Sequence, residues 1–248
     1  MHDKQQLIKD LRDLGVQPGM VLFLHSSFKS LQFQGTPEEV IEAFQEVLTP
    51  EGTLLLPTLT YKSVTKDNPH FSYHDSVSCV GILPEIFRKM KGIVRSMNPI
   101  HSVAAWGRHA LYLTSAHIED DITLGNNSPY ARMLSFDAKI CMLGCGLKPN
   151  TFMHYVENIN RVPYREVSSI IPMHLTDADG RTFLKEIHMP DMRMYVQRYD
   201  RITQVLSENE MHSRNVLSAD AFLIDANSLL QKASIALKKD PFFFVDPL

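Results

Sequence analysis

Two short stretches of the chain hold side chains able to move a proton or grip a polar ligand. In Thr151-Phe-Met-His154-Tyr-Val-Glu157 an imidazole precedes a carboxylate by three residues. On a helix that spacing puts both groups on one face, one turn apart. A histidine whose far nitrogen is held by a carboxylate is suited to general-base work near neutral pH. Phe152, Tyr155 and Val156 are apolar, so the helix is expected to be buried. Burial of an unpaired polar group is expensive, so a buried histidine beside a buried carboxylate needs a reason. Activation of an amine or a water nucleophile is such a reason.

The second stretch is Asn98-Pro-Ile-His101-Ser102-Val-Ala-Ala-Trp-Gly107, and His25-Ser26-Ser27-Phe28 resembles it in kind. Both set an imidazole and hydroxyls at the end or start of an apolar run. Pro57-Thr58-Leu59-Thr60 stands at a similar strand exit, and Arg95 carries a guanidinium fork able to hold a phosphate. In open α/β sheets ligands bind beyond the carboxyl ends of strands. Several exits bearing hydroxyls and imidazoles therefore point to one shared cleft. Neither G-x-G-x-x-G nor G-x-x-x-x-G-K-[ST] occurs, and no G-x-S-x-G elbow does. Dinucleotide, P-loop and acyl-serine chemistry lose weight accordingly.

The elements that must position these groups follow from periodicity. Leu7, Leu11 and Leu14 mark a helix over residues 3–14, and Met20-Val-Leu-Phe-Leu-His25 a buried strand. Thr36-Pro37-Glu38-Glu39 starts a helix with a cap, a first-turn proline and acids; Val40, Ile41, Phe44, Val47 and Leu48 give it a buried face. Thr53-Leu-Leu-Leu-Pro57 is a second strand, expected to pair in parallel through a right-handed crossover. Residues 58–80 read as a long polar loop, residues 81–90 as a helix, and residues 103–106 and 139–143 as strands. Asn150-Thr151 caps the helix of His154. Asp177-Ala-Asp-Gly180 is a hairpin turn between residues 168–175 and 181–187, and helices are expected over residues 192–206 and 218–238. Pro241-Phe-Phe-Phe-Val245 reads as a short strand or packing arm. The class is α/β: a layered α/β/α core with a mixed sheet and a C-terminal β-hairpin and helical elaboration. One domain is expected, its core roughly residues 1–165 and its elaboration roughly 166–248.

Composition narrows the partners. A hydrophobic fraction of 44% builds an ordinary core, and a net charge of −3 leaves no nucleic-acid footprint. Cys79, Cys141 and Cys145 form no disulfide framework, so a reducing cytoplasmic setting is expected; Cys141 and Cys145, whose spacing is not that of a zinc knuckle, are read as buried thiols. No apolar leader and no run of about 18 apolar residues occurs, so neither a signal peptide nor a membrane span is expected. The aromatic tail Phe242-Phe-Phe244 is expected to pack on its own domain; a homo-oligomer is the other arrangement it allows.

In their order along the chain these segments resemble the aminoglycoside 3-N-acetyltransferases and their chromosomal relatives, the antibiotic N-acetyltransferase family. The resemblance runs through Leu14-Gly-Val, Gly19, His25-Ser-Ser-Phe-Lys-Ser-Leu31, Pro50-Glu-Gly-Thr-Leu-Leu-Leu-Pro-Thr58, Gly81-Ile-Leu-Pro-Glu85, Arg95-Ser96, Asn98 to Gly107, Gly125-Asn-Asn-Ser-Pro129 and Asn150 to Glu157. It implies direct N-acetylation of an amino sugar or aminoglycoside by acetyl-CoA, with His154 as general base and Glu157 orienting it. It also implies contacts to the CoA substrate from His25, Ser26, Ser27, Phe28, Ser30, Leu31, Thr58, Arg95, His101, Ser102 and Val103. The His25 and His101-Ser102 segments would line the pantetheine channel, and Arg95 would lie near a phosphate. Ser102, Thr151 or a backbone N–H would serve the thioester oxygen.

The chain departs from the family in three places. Gln32-Phe-Gln-Gly35-Thr36 has one glycine where resistance enzymes are glycine-rich, Asn98 replaces a histidine, and Lys148-Pro149 stands where an acid is common. Loss of that acid removes a partner for a polycationic acceptor; the acidic run Glu119-Asp120-Asp121 could compensate. Two alternatives accompany the acyltransferase reading. One is a metal-dependent hydrolase with His101, His154, Glu157 and His25 as ligands. The other is a CoA-binding family member with a remodelled acceptor site.

Overall fold

The computed structural model describes residues 2–190 and 194–248. The chain opens with α1 (Lys4–Leu14), whose Asp3 cap accepts the Gln6 N–H and whose buried stripe is Leu7, Ile8, Leu11 and Leu14. β1 (Val21–Ser26) follows, then the single turn α2 (Phe28–Leu31) and α3 (Pro37–Leu48). Thr36 and Glu39 close a reciprocal capping box at the start of α3, with Pro37 at its first position. β2 (Thr53–Pro57) pairs in parallel with β1, as the strand–helix–strand pattern predicts. Next come β3 (His70–Ser72), α4 (Ile82–Phe87), β4 (Val94–Arg95), β5 (Val103–Gly107), α5 (Ala110–Ser115), α6 (Pro129–Arg132) and β6 (Lys139–Leu143). The remainder is α7 (Phe152–Ile159), β7 (Val167–Thr176), β8 (Thr182–Pro190), β9 (Tyr195–Gln197), β10 (Met211–Val216), β11 (Ala219–Asp225), α8 (Ala226–Lys239) and β12 (Val245–Pro247).

The main sheet runs β10-β11-β6-β1-β2-β5-β4. Its centre, β6-β1-β2, is parallel, and antiparallel β11 and β5 flank it, so the sheet is mixed. Alternation sends the central strands' side chains to two cores. Leu22, Leu24, Leu54, Leu56, Cys141 and Leu143 meet α1, α3 and α4 on one face. Phe23, Leu55, Ile140 and Met142 meet α5, α6, α7 and α8 on the other. This is the expected α/β/α layering. The parallel registers bring the ends of β1 and β6 together, His25 opposite Met142 and Ser26 opposite Leu143. Beyond that edge lies a small sheet, β3-β7-β8, over its own core of Val64, Phe71, Ile100, Met173, Leu175 and Ile187. No helix among the described residues is long and apolar enough to cross a membrane.

Two helical expectations are corrected. In place of a helix over 192–206, the described residues from 194 on form β9 and a 3-10 turn at Tyr199–Gln204, while residues 192 and 193 lie outside the described residues. β9 pairs with β12, which begins only at Val245; the aromatic Phe242-Phe-Phe244 forms the turn before it and acts as the packing arm, with Phe244 fully buried. The helix expected over 218–238 begins only at Ala226. The preceding Ala-Asp-Ala-Phe-Leu-Ile run is β11, hydrogen-bonded to β6, and Asp225 caps α8 through the Ser228 N–H. A short apolar run fits a buried strand as well as a helix, and here the open edge of β6 decides it. β10, β11 and α8 thus belong to the layered core, although they follow residue 165.

Candidate active site

α7 is the element that carries the chemistry. Asn150 Oδ1 accepts the Phe152 N–H at its start, and apolar Phe152, Met153 and Val156 seat it in the core. His154 and Glu157 then share one face, His154 Nδ1 lying 3.2 Å from Glu157 Oε2. The imidazole is 21% exposed and the carboxylate is fully covered, so the pair spans the wall of the cleft.

Three residues not anticipated from the sequence complete this pair. Tyr164 donates its hydroxyl to Glu157 Oε1 at 3.0 Å. Tyr199 Oη lies 2.8 Å from Glu157 Oε2 and 2.7 Å from His154 Nδ1. Arg165 Nη1 lies 3.4 Å from Glu157 Oε2 and 2.9 Å from His154 Nδ1. A buried carboxylate with three donors is satisfied. Burial, and then the Arg165 charge, hold His154 below its ordinary pKa against the pull of Glu157, so the ring is neutral at physiological pH. Arg165 sits eight residues past Glu157 in Pro163-Tyr-Arg165, a 3-10 turn that follows α7 directly. Tyr199 comes from the turn after β9, in a stretch whose sequence reads as helix, and no local spacing ties it to His154.

The cleft in front of His154 has a volume of about 540 Å³. Its walls include His25, Ser26, His101, Asn150, Thr151 and Tyr199, with apolar Leu59, Ile100 and Pro190. His25 stands at the end of β1, and its Nε2 accepts the Thr151 N–H at 3.0 Å, pinning the start of α7 to the sheet. Burial, with His154 adding to it, pulls His25 down to about 3. A neutral ring that accepts at Nε2 carries its proton on Nδ1. That Nδ1 has no partner, nor do Ser26 Oγ, Asn150 Nδ2 and His101 Nδ1. The His101 ring meets the His154 ring edge-on at 5.8 Å, and burial likewise keeps it neutral. Buried polar atoms without partners are rare, and four beside one cleft point to a ligand with polar groups along its length.

Several residues of the same sequence blocks do not line this cleft. Leu31 and Val103 are fully buried, one in each core. Thr58 and Ser102 are fully buried, their hydroxyls joined at 2.9 Å. Ser102 donates to the Thr58 carbonyl at 2.8 Å, so it has no proton to offer a thioester oxygen. The Thr151 N–H is also committed, to His25. Arg95 is buried: Nε donates to Ser102 Oγ, Nη1 to the Tyr73 and Ser76 carbonyls, and Nη2 to the Thr58 carbonyl. Burial lowers it to about 9, and it serves as a cationic staple between loop and sheet rather than a free phosphate fork. Ser27 Oγ and Ser30 Oγ bond each other at 2.8 Å, and Phe28 packs on the core of α1 and α3. Ser30 faces a separate 390 Å³ hollow beside Gly144 and Gly146. Alternation turns only some members of each sequence block toward the cleft.

Among the described residues no three His, Cys, Asp or Glu side chains converge as a metal cage would require. His25, His101, His154 and Glu157 therefore do not form the ligand set that the hydrolase alternative needs.

A family model described as Aminoglycoside 3-N-acetyltransferase matches residues 23–238. Aminoglycoside N(3)-acetyltransferase IV of Salmonella sp is 30% identical over 251 residues, covering 98% of this chain and 90% of that protein. The crystal structure of the apoenzyme of aminoglycoside acetyltransferase AAC(3)-IVa superposes with a TM-score of 0.81 at 29% identity, over 98% of this chain and 90% of that one. A histidine-to-alanine mutant of that acetyltransferase, in complex with a gentamicin, superposes with a TM-score of 0.80 over the same shares, again at 29% identity. AAC-IIIb, solved as a binary complex with CoASH, shares the fold with a TM-score of 0.82 at 24% identity, over 96% of each chain.

Proposed function

The chain belongs to the aminoglycoside 3-N-acetyltransferase family, and from that premise we infer that it moves the acetyl group of acetyl-CoA onto an amine of an aminoglycoside or related amino sugar, with His154 as general base. The observation that carries the role of His154 is its neutral imidazole, lining the cleft and backed by a fully buried carboxylate.

In this reaction an amine nitrogen attacks the thioester carbonyl, a C–N bond forms and the C–S bond breaks. An ammonium cannot attack, so a base must hold the amine in its free form and take the proton released on attack. His154 is assigned that role through Nε2, since Nδ1 faces Glu157, Tyr199 and Arg165. The proton then passes to the departing CoA sulfur, a transfer favoured by the lowered basicity of the ring. Glu157 holds the ring and stabilises the transient imidazolium. Acetyl-CoA supplies the activated acyl group; His25 Nδ1–H, Ser26 Oγ–H and Asn150 Nδ2–H are the donors proposed for its carbonyl oxygens, because they line the cleft without partners. The whole chain is proposed to act as one acyltransferase domain, because Tyr199, well beyond residue 165, completes the surroundings of His154.

The test is release of CoA thiol from acetyl-CoA with a panel of aminoglycosides and simpler amino sugars. His154→Ala should lower turnover by about 10²- to 10⁴-fold, the usual worth of a general base. Undiminished turnover in that variant removes His154 from the mechanism. Binding of acetyl-CoA without acylation of any amine would instead favour a remodelled, non-catalytic member of the family.

A further inference from the structure

Three groups crowd His154 Nδ1: Tyr199 Oη at 2.7 Å, Arg165 Nη1 at 2.9 Å and Glu157 Oε2 at 3.2 Å. They make opposite demands. A guanidinium only donates, and an ionised carboxylate only accepts. Arg165 therefore favours a bare Nδ1, which would put the ring proton on Nε2 and leave no lone pair for an amine's proton. Glu157 favours a protonated Nδ1, but it is the farthest of the three and already accepts from both tyrosines and Arg165. Tyr199 alone can both accept and donate.

We infer that Tyr199 is the positioning residue that fixes the tautomer of His154: its Oη accepts the Nδ1 proton and donates its own proton to Glu157 Oε2, leaving Nε2 bare. The inference rests on His154 acting as the base of the proposed reaction. The distances fit this chain of donors, since the two hydrogen bonds through the phenol, 2.7 and 2.8 Å, are both shorter than the direct imidazole–carboxylate contact of 3.2 Å. The carboxylate then acts on the base mainly through the phenol. Tyr199 is 2% exposed and its ring packs edge-on against the imidazole at 5.4 Å, so its hydroxyl is held in place. Neutral His25 and His101, the neighbouring imidazoles, add no charge of their own. Arg165 takes the opposing part: it biases Nδ1 toward accepting and disfavours the imidazolium, which hastens return of the proton to the leaving sulfur. A tautomer held between two opposed neighbours should move when one of them is removed.

The experiment is nitrogen NMR of protein carrying ¹⁵N-histidine, with the His154 signals identified by their loss in His154→Ala. The expected wild-type result at about pH 7.5 is a proton on Nδ1 and a bare Nε2. In Tyr199→Phe the proton should shift toward Nε2, and kcat should fall about 10- to 100-fold, the scale seen when a partner that orients a functional histidine is lost. KM for acetyl-CoA should stay within about twofold, because the donors proposed for it, His25, Ser26 and Asn150, are unchanged. Tyr164→Phe, which removes a bond to Glu157 but none to the imidazole, should leave the tautomer in place. A wild-type spectrum with the proton on Nε2 overturns the assignment, and so does a Tyr199→Phe protein with unaltered tautomer and kcat. The wild-type spectrum decides even if the variant fails to fold. A wild-type protein with the Nδ1 proton but no turnover of any amine would remove the proposed reaction and leave the tautomer assignment standing.

Discussion

At the scale of single residues, the sequence reports what lies within one helical turn and little beyond it. The pairing of His154 with Glu157 was legible because their spacing is itself the contact. Tyr164, Arg165 and Tyr199 were not, because they reach the same atoms across a turn and a folded hairpin. Arg95 shows the converse limit: a guanidinium beside a ligand-like segment reads as a phosphate fork, while in the fold protein carbonyls and a hydroxyl occupy all three of its nitrogens. The two roles separate by experiment. Lysine keeps the charge but cannot reproduce the fork, so Arg95→Lys leaves buried acceptors unpaired. It should lower unfolding stability by roughly 1–3 kcal/mol, the range for one such unsatisfied group, with KM for acetyl-CoA unchanged. A large rise in that KM at undiminished stability would restore the phosphate role.

At the scale of elements, caps and apolar stripes gave α1, α3 and the central strands nearly to the residue, since those signals are local. β9 and β11 were missed because what makes them strands is a partner far along the chain: β12 for the first, β6 for the second. The join of β5 to β2 carries a tight point of its own. Gly107, at the end of β5, has φ near +102°, and a methyl group there would run into the carbonyl of Gly52. Both strain and contact oppose any side chain. Gly107→Ala should therefore destabilise the fold by roughly 1–3 kcal/mol, measured by urea unfolding. A neutral result would mean that the loop before β2 can move aside freely.

At the scale of the whole molecule, the main consequence of the layering is where histidines end up. The layers hide His25 and His117 from water and hold them at about 3 and about 4, from an ordinary value of 6.5. His117 is fully buried between Ser96 Oγ at 2.8 Å and the Thr123 carbonyl at 3.1 Å. In the unfolded chain both rings take up a proton below about pH 6.5, while in the folded chain they do so only near 3 and 4. The unfolded state binds more protons across that window, so stability must fall as pH falls. Each ring contributes a slope of up to about 1.4 kcal/mol per pH unit. The urea midpoint should drop clearly between about pH 7 and pH 5, and a flat profile over that range would mean that the folded protein protonates these rings without penalty. The layered class itself was legible from alternating helical and strand patterns, but the closing of the sheet by β10 and β11 was not, because it depends on which edge stays open until the last third of the chain arrives.

The pairing of β9 with β12 has a consequence in time. Arg198 and Arg201, on either side of Tyr199, both reach Asp246 in β12, the former at 2.6 Å. A nascent chain therefore exposes His154 about 90 residues before the clasp that seats its phenol neighbour can close. A protein shortened to end before Val245 should keep its layered core but lose most of its turnover, and full activity in that truncation would show that the clasp is dispensable. Without the strand around Asp246, the chain should be folded but inert.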